Sequence, residues 1–207
     1  MIIKWIVCEV TAEQRAAFSE AQAGWSALSG VSGFLGQLGG WDQDGRACIA
    51  GLWRDREAYR HFMTAVHDDI TDGNAQEGTY TASRVALFDS VMAIQAGLSG
   101  AEGGLLRVAD CRVLAGREEH FIQVQREVWN PGMGGAPGMA GGAFARGEGS
   151  RYLVLSRWAD HAAHASYRAE RFPELRSRAG AGQDLDAITG YRVALEPAWE
   201  VSPSGSS

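Results

Sequence analysis

Cys8 and Val10 recur 103 residues later as Cys111 and Val113, and Phe18 and Gln22 recur at the same offset as Phe121 and Gln125. Gly33 and Gly36 return as Gly138 and Gly141, and Trp53-x-Asp55-x-x-Ala58 returns as Trp158-x-Asp160-x-x-Ala163, both 105 residues on. Arg84-Val85-Ala86-Leu87 returns as Arg192-Val193-Ala194-Leu195 at 108. The offset never shrinks, and most of its growth falls between elements, where insertions are tolerated. Trp25 and Trp129, 104 apart inside an expected helix, fit less well. The ordered set predicts two copies of one unit, residues 1–97 and 104–201, with a small, Gly-rich linker at 98–103 and a disordered tail at 202–207.

Each copy reads as β-α-β-β-α-β. Ile2 to Val10 and Leu105 to Leu114 are rich in branched and aromatic residues, as strands are. Thr11-Ala12-Glu13-Gln14 has the spacing of a capping box. Phe18, Ala21, Trp25 and Leu28 follow at helical spacing, with Gly30 as a stop. A glycine-loosened strand is expected at 33–41 and a third strand at 47–53, matched by 152–158. Asp55 and Asp160 stand where a carboxylate caps a helix. Tyr59, Phe62, Met63, Val66 and Ile70 form one apolar stripe, while Pro173 interrupts the second copy's helix. Fourth strands at 81–91 and 188–195 close the copies. This is the order of a ferredoxin-like split βαβ fold, with helices on one sheet face only. Ile6, Cys8 and Val10 alternate with Ile3, Trp5 and Val7, so the first strand is apolar on both faces. The expected class is therefore α+β, with two ferredoxin-like repeats packed sheet to sheet.

Composition narrows the function classes. A formal net charge of −6 argues against a nucleic-acid binder held by phosphate contacts. No apolar run approaches the ~18 residues of a membrane span, so no membrane partner is expected. The first residues lack the pattern of a signal peptide, and three cysteines suit a reducing compartment, so a cytoplasmic location is expected. A fused pair is expected to be a monomer or a homodimer.

Lys4-Trp5, Trp25, Gly33-Phe34-Leu35-Gly36-Gln37, Gly39-Gly40-Trp41, Trp53, Tyr59, Phe62-Met63 and His67-Asp68 make residues 1–94 resemble the YdbC-like proteins. That small bacterial family is similar to the dimeric α+β barrel superfamily, which includes antibiotic-biosynthesis and haem-degrading monooxygenases. The resemblance implies an intramolecular dimeric α+β barrel, with a small ligand in a cleft between sheet and helices. Cofactor-independent or haem-linked monooxygenase chemistry is implied with it. The haem-degrading members use an Asn, a Trp and a His. Here Val7 or Cys8, Phe62 and His67 stand near those positions, and Cys111, Tyr167 and Phe172 in the second copy. No cofactor is the first expectation, with haem as the alternative.

His67 is the candidate catalytic residue, because an imidazole exchanges protons near neutral pH. A helix-end histidine facing solvent is the bland alternative. Trp5, Trp25, Gln37, Trp41 and Phe62 are candidate ligand-binding residues. Aromatic walls suit a flat or apolar molecule, and an amide can orient it. Core packing is the competing reading, above all for Trp25 and Trp53. His161 and His164 share a helix face but lack a third ligand, so no metal site is expected. The Gly-rich stretch 132–149 lacks a full phosphate-binding spacing and reads as a flexible loop. The second copy lacks a counterpart of His67, so one site in the first copy is expected. A small-molecule enzyme, a non-catalytic binder of an aromatic or apolar metabolite, and an interaction protein remain the candidate functions.

Overall fold

The computed structural model describes residues 1–74 and 76–205. It forms two compact units, one of Met1–Leu87 with the chain from Val193 onward, the other of Phe88–Arg192. These boundaries differ from those of the sequence repeat, because the chain passes between units inside two long strands, β4 (Ala82–Ile94) and β8 (Leu185–Leu195).

In the first unit β1 (Ile2–Glu9) lies antiparallel to β3 (Ala47–Trp53), from Ile2↔Trp53 to Cys8↔Ala47. On the other side of β3 lies β2 (Phe34–Trp41), with a bulge between Phe34 and Gly36. The free edge of β2 receives the end of β8, at Gly40↔Leu195 and Trp41↔Ala194. A Cβ on Gly40 would overlap the Ala194 carbonyl, so glycine there serves close strand approach rather than looseness. After Leu195 the chain makes a short turn at Pro197–Trp199, and Val201 exchanges backbone hydrogen bonds with Gln37 at 2.8 and 3.0 Å. Ser204 donates its amide and hydroxyl to the Ser29 carbonyl, each at 2.8 Å. The segment expected as a disordered tail is thus tied down as far as Ser204, while Ser206 and Ser207 lie outside the described residues.

Three helices complete this unit: α1 (Arg15–Ala23), α2 (Arg56–Ala65) and α3 (His67–Asn74). The expected capping box does not form. Thr11–Gln14 is a turn closed by the Thr11 carbonyl, and α1 begins after Gln14 without a side-chain cap. Asp55 does cap α2, accepting from the Ala58 amide at 2.7 Å. The apolar stripe read as one helix is broken at Val66, whose φ of −134° ends α2 before His67 opens α3. Ile2, Leu28, Phe34, Trp53, Phe62 and Ile70 meet in one core cluster, and Phe18, Trp41, Ile49 and Trp199 in another.

The second unit uses the same devices. β5 (Leu105–Val113) and β6 (Met139–Arg146) flank β7 (Arg151–Trp158), and β6 is bulged between Met139 and Gly141. The Gly-rich segment expected as a loop therefore contains a strand, preceded by α4 (Glu118–Val124) and α5 (Asn130–Gly134). Asp160 caps α6 (His161–Glu170) through the Ala163 amide at 2.8 Å, and α7 (Phe172–Ala179) restarts with Pro173 in its first turn. Gly33 and Gly138 both hold φ +78°, where a Cβ would overlap Ala58 in one unit and Ala163 in the other. The 89–94 part of β4 pairs with β6, so the fourth strands do not close only their own repeats. The expected linker is structured too, with Leu98 buried.

Candidate functional site

The first unit holds a partly open cavity of about 290 Å3 between its sheet and its helices. Side chains of β1 alternate, so Lys4, Ile6 and Cys8 face the cavity together. Ile49 and Trp53 from β3, with Phe34 and Gln37 from β2, extend this wall. Gln22, Trp25 and Leu28 face it from α1 and the turn that follows, and Phe62, His67 and Thr71 from α2 and α3.

Four of the six residues expected at a site line this one space. Trp25 donates its indole N–H to Gln76 Oε1 at 2.7 Å, and Gln76 donates to Gln22 Oε1 at 2.9 Å, so the ring is held by a chain of amides. Phe62 stacks on Trp53 with centroids 4.6 Å apart. Gln37 donates to the Trp199 carbonyl at 3.2 Å, which orients its amide. His67 lies 5.9 Å from the Trp25 ring and 5.5 Å from the Phe62 ring, with Nδ1 3.0 Å from an Asp68 carboxylate oxygen. It opens a helix rather than ending one, and its side chain is only 23% exposed.

Trp5 and Trp41 do not line the cavity. Trp5 lies on the opposite face of β1 from Lys4 and Ile6, as strand alternation requires. Trp41 packs against Phe18 and Trp199, at 5.8 and 5.1 Å, and is covered by the Arg15 guanidinium 4.1 Å from its centroid.

Lys4 is a cavity residue that the sequence pattern does not single out. Its Nζ lies 5.7 Å from the Tyr59 ring and 6.0 Å from the Phe62 ring. Burial pulls its pKa from 10.5 down to about 8, only slightly offset by Cys8. The signal lies in composition instead: of the 19 Lys and Arg residues, 18 are Arg, and the single lysine lies in an otherwise apolar strand. Only lysine among these two readily shifts its pKa on burial. Cys8, beside it, is pushed up to about 11, first by burial and then by Glu9, which makes it an inert thiol.

The second unit offers a different picture. His164 is 5% exposed, packed 5.3 Å from the Trp158 ring, and its pKa is lowered to about 4, chiefly by burial and then by Arg107. It is a core residue. Among the described residues no group of three or more His, Cys, Asp or Glu could hold a metal.

A fully apolar cavity of about 150 Å3 accommodates benzene. The space here is about twice that and opens to solvent on one side, so it has room for two or three fused rings. Of the positions that the resemblance to haem-degrading proteins names, His67 has the residue type of that pattern, whereas Val7 or Cys8 and Phe62 do not.

The fold is α+β, with antiparallel strand pairing like that of ferredoxin-like monooxygenase folds. A monooxygenase-like protein of Fusobacterium nucleatum superposes with a TM-score of 0.77 at 12% identity, over 99% of this chain and 95% of its own. One from Lactobacillus acidophilus gives 0.73 at 12% identity, over 97% and 95%. A ferredoxin-fold protein of Listeria monocytogenes, related to antibiotic biosynthesis monooxygenases, gives 0.50 at 9% identity, over 93% and 94%. At these identities the likeness is one of fold. Sequence goes further: the uncharacterised protein YdbC of Bacillus subtilis is 42% identical over 93 residues, 43% of this chain and 78% of YdbC. The chain belongs to the YdbC family, and residues 2–88 match the family described as Domain of unknown function (DUF4937). Among the described residues no helix is long and apolar enough to cross a membrane.

Proposed function

We propose that the cavity of the first unit binds a small aromatic or apolar molecule and that the protein is a monooxygenase-like enzyme acting on it without a bound cofactor. The observation carrying this reading is the cavity itself, where His67, Gln37 and the rings of Trp25 and Phe62 converge. His67 would take the proton of an acidic O–H or C–H group as the substrate ionises. At a CH2 group the resulting carbanion adds O2, the proton returns to give a C–OOH group, and loss of the second C–H with cleavage of the O–O bond leaves C=O and water, so that CH2 and O2 become C=O and H2O. Asp68 occupies His67 Nδ1, which leaves Nε2 for the substrate. Trp25 and Phe62 would hold the ring system flat.

A second reading, a non-catalytic binder, draws on one observation: Asp68 is 92% exposed, so its pair with His67 orients the imidazole weakly. Oxygen uptake with an enolisable tricyclic ketone such as anthrone separates the two. Turnover above the buffer rate, lowered about a hundredfold or more in His67→Ala, supports the enzyme. Binding without uptake supports the binder, and neither removes the site.

The two halves are proposed to be fused copies of one ancestral unit, supported by the matched bulges, Asp caps and positive-φ glycines. The pairing of repeats drawn from the sequence pattern belongs to the same proposal. A cytoplasmic location is proposed because Cys8, Cys48 and Cys111 are free thiols.

A further inference from the structure

We propose that the cavity selects an anionic aromatic molecule, a carboxylate or phenolate, and that the Lys4 ammonium is the group that recognises its charge. This deepens the preceding reading and rests on the cavity being a ligand site.

Three observations carry it. Lys4 stands in the cavity wall, rooted in strand β1 with its ammonium reaching towards α2. Its ammonium lies near the Tyr59 and Phe62 rings, which attract a cation but carry no net charge to neutralise it. No ion pair of Lys4 with a carboxylate occurs among the described residues, although the chain makes such pairs elsewhere at Arg46–Asp42, Arg117–Asp184 and Arg151–Asp110. A buried charge is ordinarily paired, and an unpaired one is unfavourable enough to lower its own pKa, as burial does here. A bound anion would supply the missing partner.

The remaining polar groups agree with one charged end and one neutral end. Gln22, Gln37, Thr71 and Gln76 are neutral. Glu77, the one carboxylate among the described residues of the cavity lining, is exposed to solvent, which screens its charge. The titratable groups around the ammonium are Cys8 on β1, Tyr59 on α2, His67 on α3, and Glu77 and Tyr80 in the segment before β4. Cys8 and Tyr59 are held neutral by burial, which raises both pKa values.

The test uses two bicyclic probes of matched shape, 2-naphthoate and 2-naphthamide, titrated calorimetrically into the full-length protein at pH 7. Wild type is expected to favour the carboxylate by about tenfold to a hundredfold, the range of a charge-assisted hydrogen bond. Lys4→Met should abolish that preference while leaving the amide's affinity within about twofold, which also shows that the variant is folded. Lys4→Arg should keep part of the preference. Equal binding of both probes to wild type overturns the anion proposal and leaves the cavity as a ligand site. A preference that survives in Lys4→Met overturns the role of Lys4. Failure of both probes to bind wild type overturns the ligand site and this proposal with it.

Discussion

Replacing Lys4 by methionine should stabilise the protein at neutral pH, and the gain should fade in alkali. Burial holds the ammonium at about 8, against 10.5 for an exposed lysine. Each pH unit in that interval is worth about 1.4 kcal/mol, so the charged form destabilises the fold by at most about 3 kcal/mol. Below pH 8 both folded and unfolded chains carry the proton, and the full penalty is present. Between pH 8 and 10.5 the unfolded chain binds a proton that the folded one lacks, so stability rises with pH. The Lys4→Met advantage should therefore shrink from about 3 kcal/mol at pH 7 towards its pH-independent packing part near pH 10.5. Cys8 and Cys111, raised to about 11 and about 12 mainly by burial, act oppositely above pH 9, but both proteins contain them and their effect largely cancels in the difference. Urea unfolding of both proteins at pH 7, 8, 9 and 10 reads that difference. Because Lys4 is the only lysine, reductive methylation with 13C labels it and the N-terminus alone, and NMR then gives its titration directly. A variant less stable than wild type at pH 7, or an advantage that does not change with pH, refutes the reasoning.

Gly33→Ala and Gly138→Ala should each destabilise by about 2–4 kcal/mol, from a left-handed backbone plus overlap with a helix Cβ, and Ala58→Gly should restore part of the first loss. Asp55→Ala removes the α2 cap and should lower stability by about 1 kcal/mol in the same urea assay, with a similar loss for Asp160→Ala. His164, at about 4 when folded against 6.5 unfolded, takes up a proton only in the unfolded chain between those values. Stability should fall as pH drops from 6.5 towards 4, by at most about 3 kcal/mol beyond the fall in His164→Phe, measured by thermal melts; equal pH profiles would exclude it. Titration with haem should give no saturable change in the Soret band, as a cofactor-independent reaction requires; a stoichiometric shift would favour the haem-linked alternative.

Local chemistry wrote much of the fold into the sequence. Asp55 and Asp160 cap helices because a short carboxylate before a helix has free amides to accept from, wherever the rest of the chain lies. The break at Pro173 was equally local. The last strands were legible as strands, but not their partners: the end of β8 reaches β2 because Gly40 admits a backbone, which depends on chain far away in sequence. Val66 reads as one more member of an apolar stripe, and nothing in its residue type marks the φ of −134° that ends α2 there. For the site, alternation along β1 already separated Trp5 from Ile6 and Cys8, and the same alternation put Lys4 into the wall. Ring size drew attention to Trp5 and Trp41, although a large ring is as useful to a core as to a ligand.

Crystals grown with 6-bromo-2-naphthoate, measured at the bromine absorption edge, would test most directly whether the first unit's cavity is a ligand site. The account predicts one strong anomalous peak inside the cavity, with the ring system against Phe62 and Trp25 and the carboxylate directed to Lys4 Nζ. An empty cavity at saturating probe, or a peak only elsewhere on the protein, would contradict it.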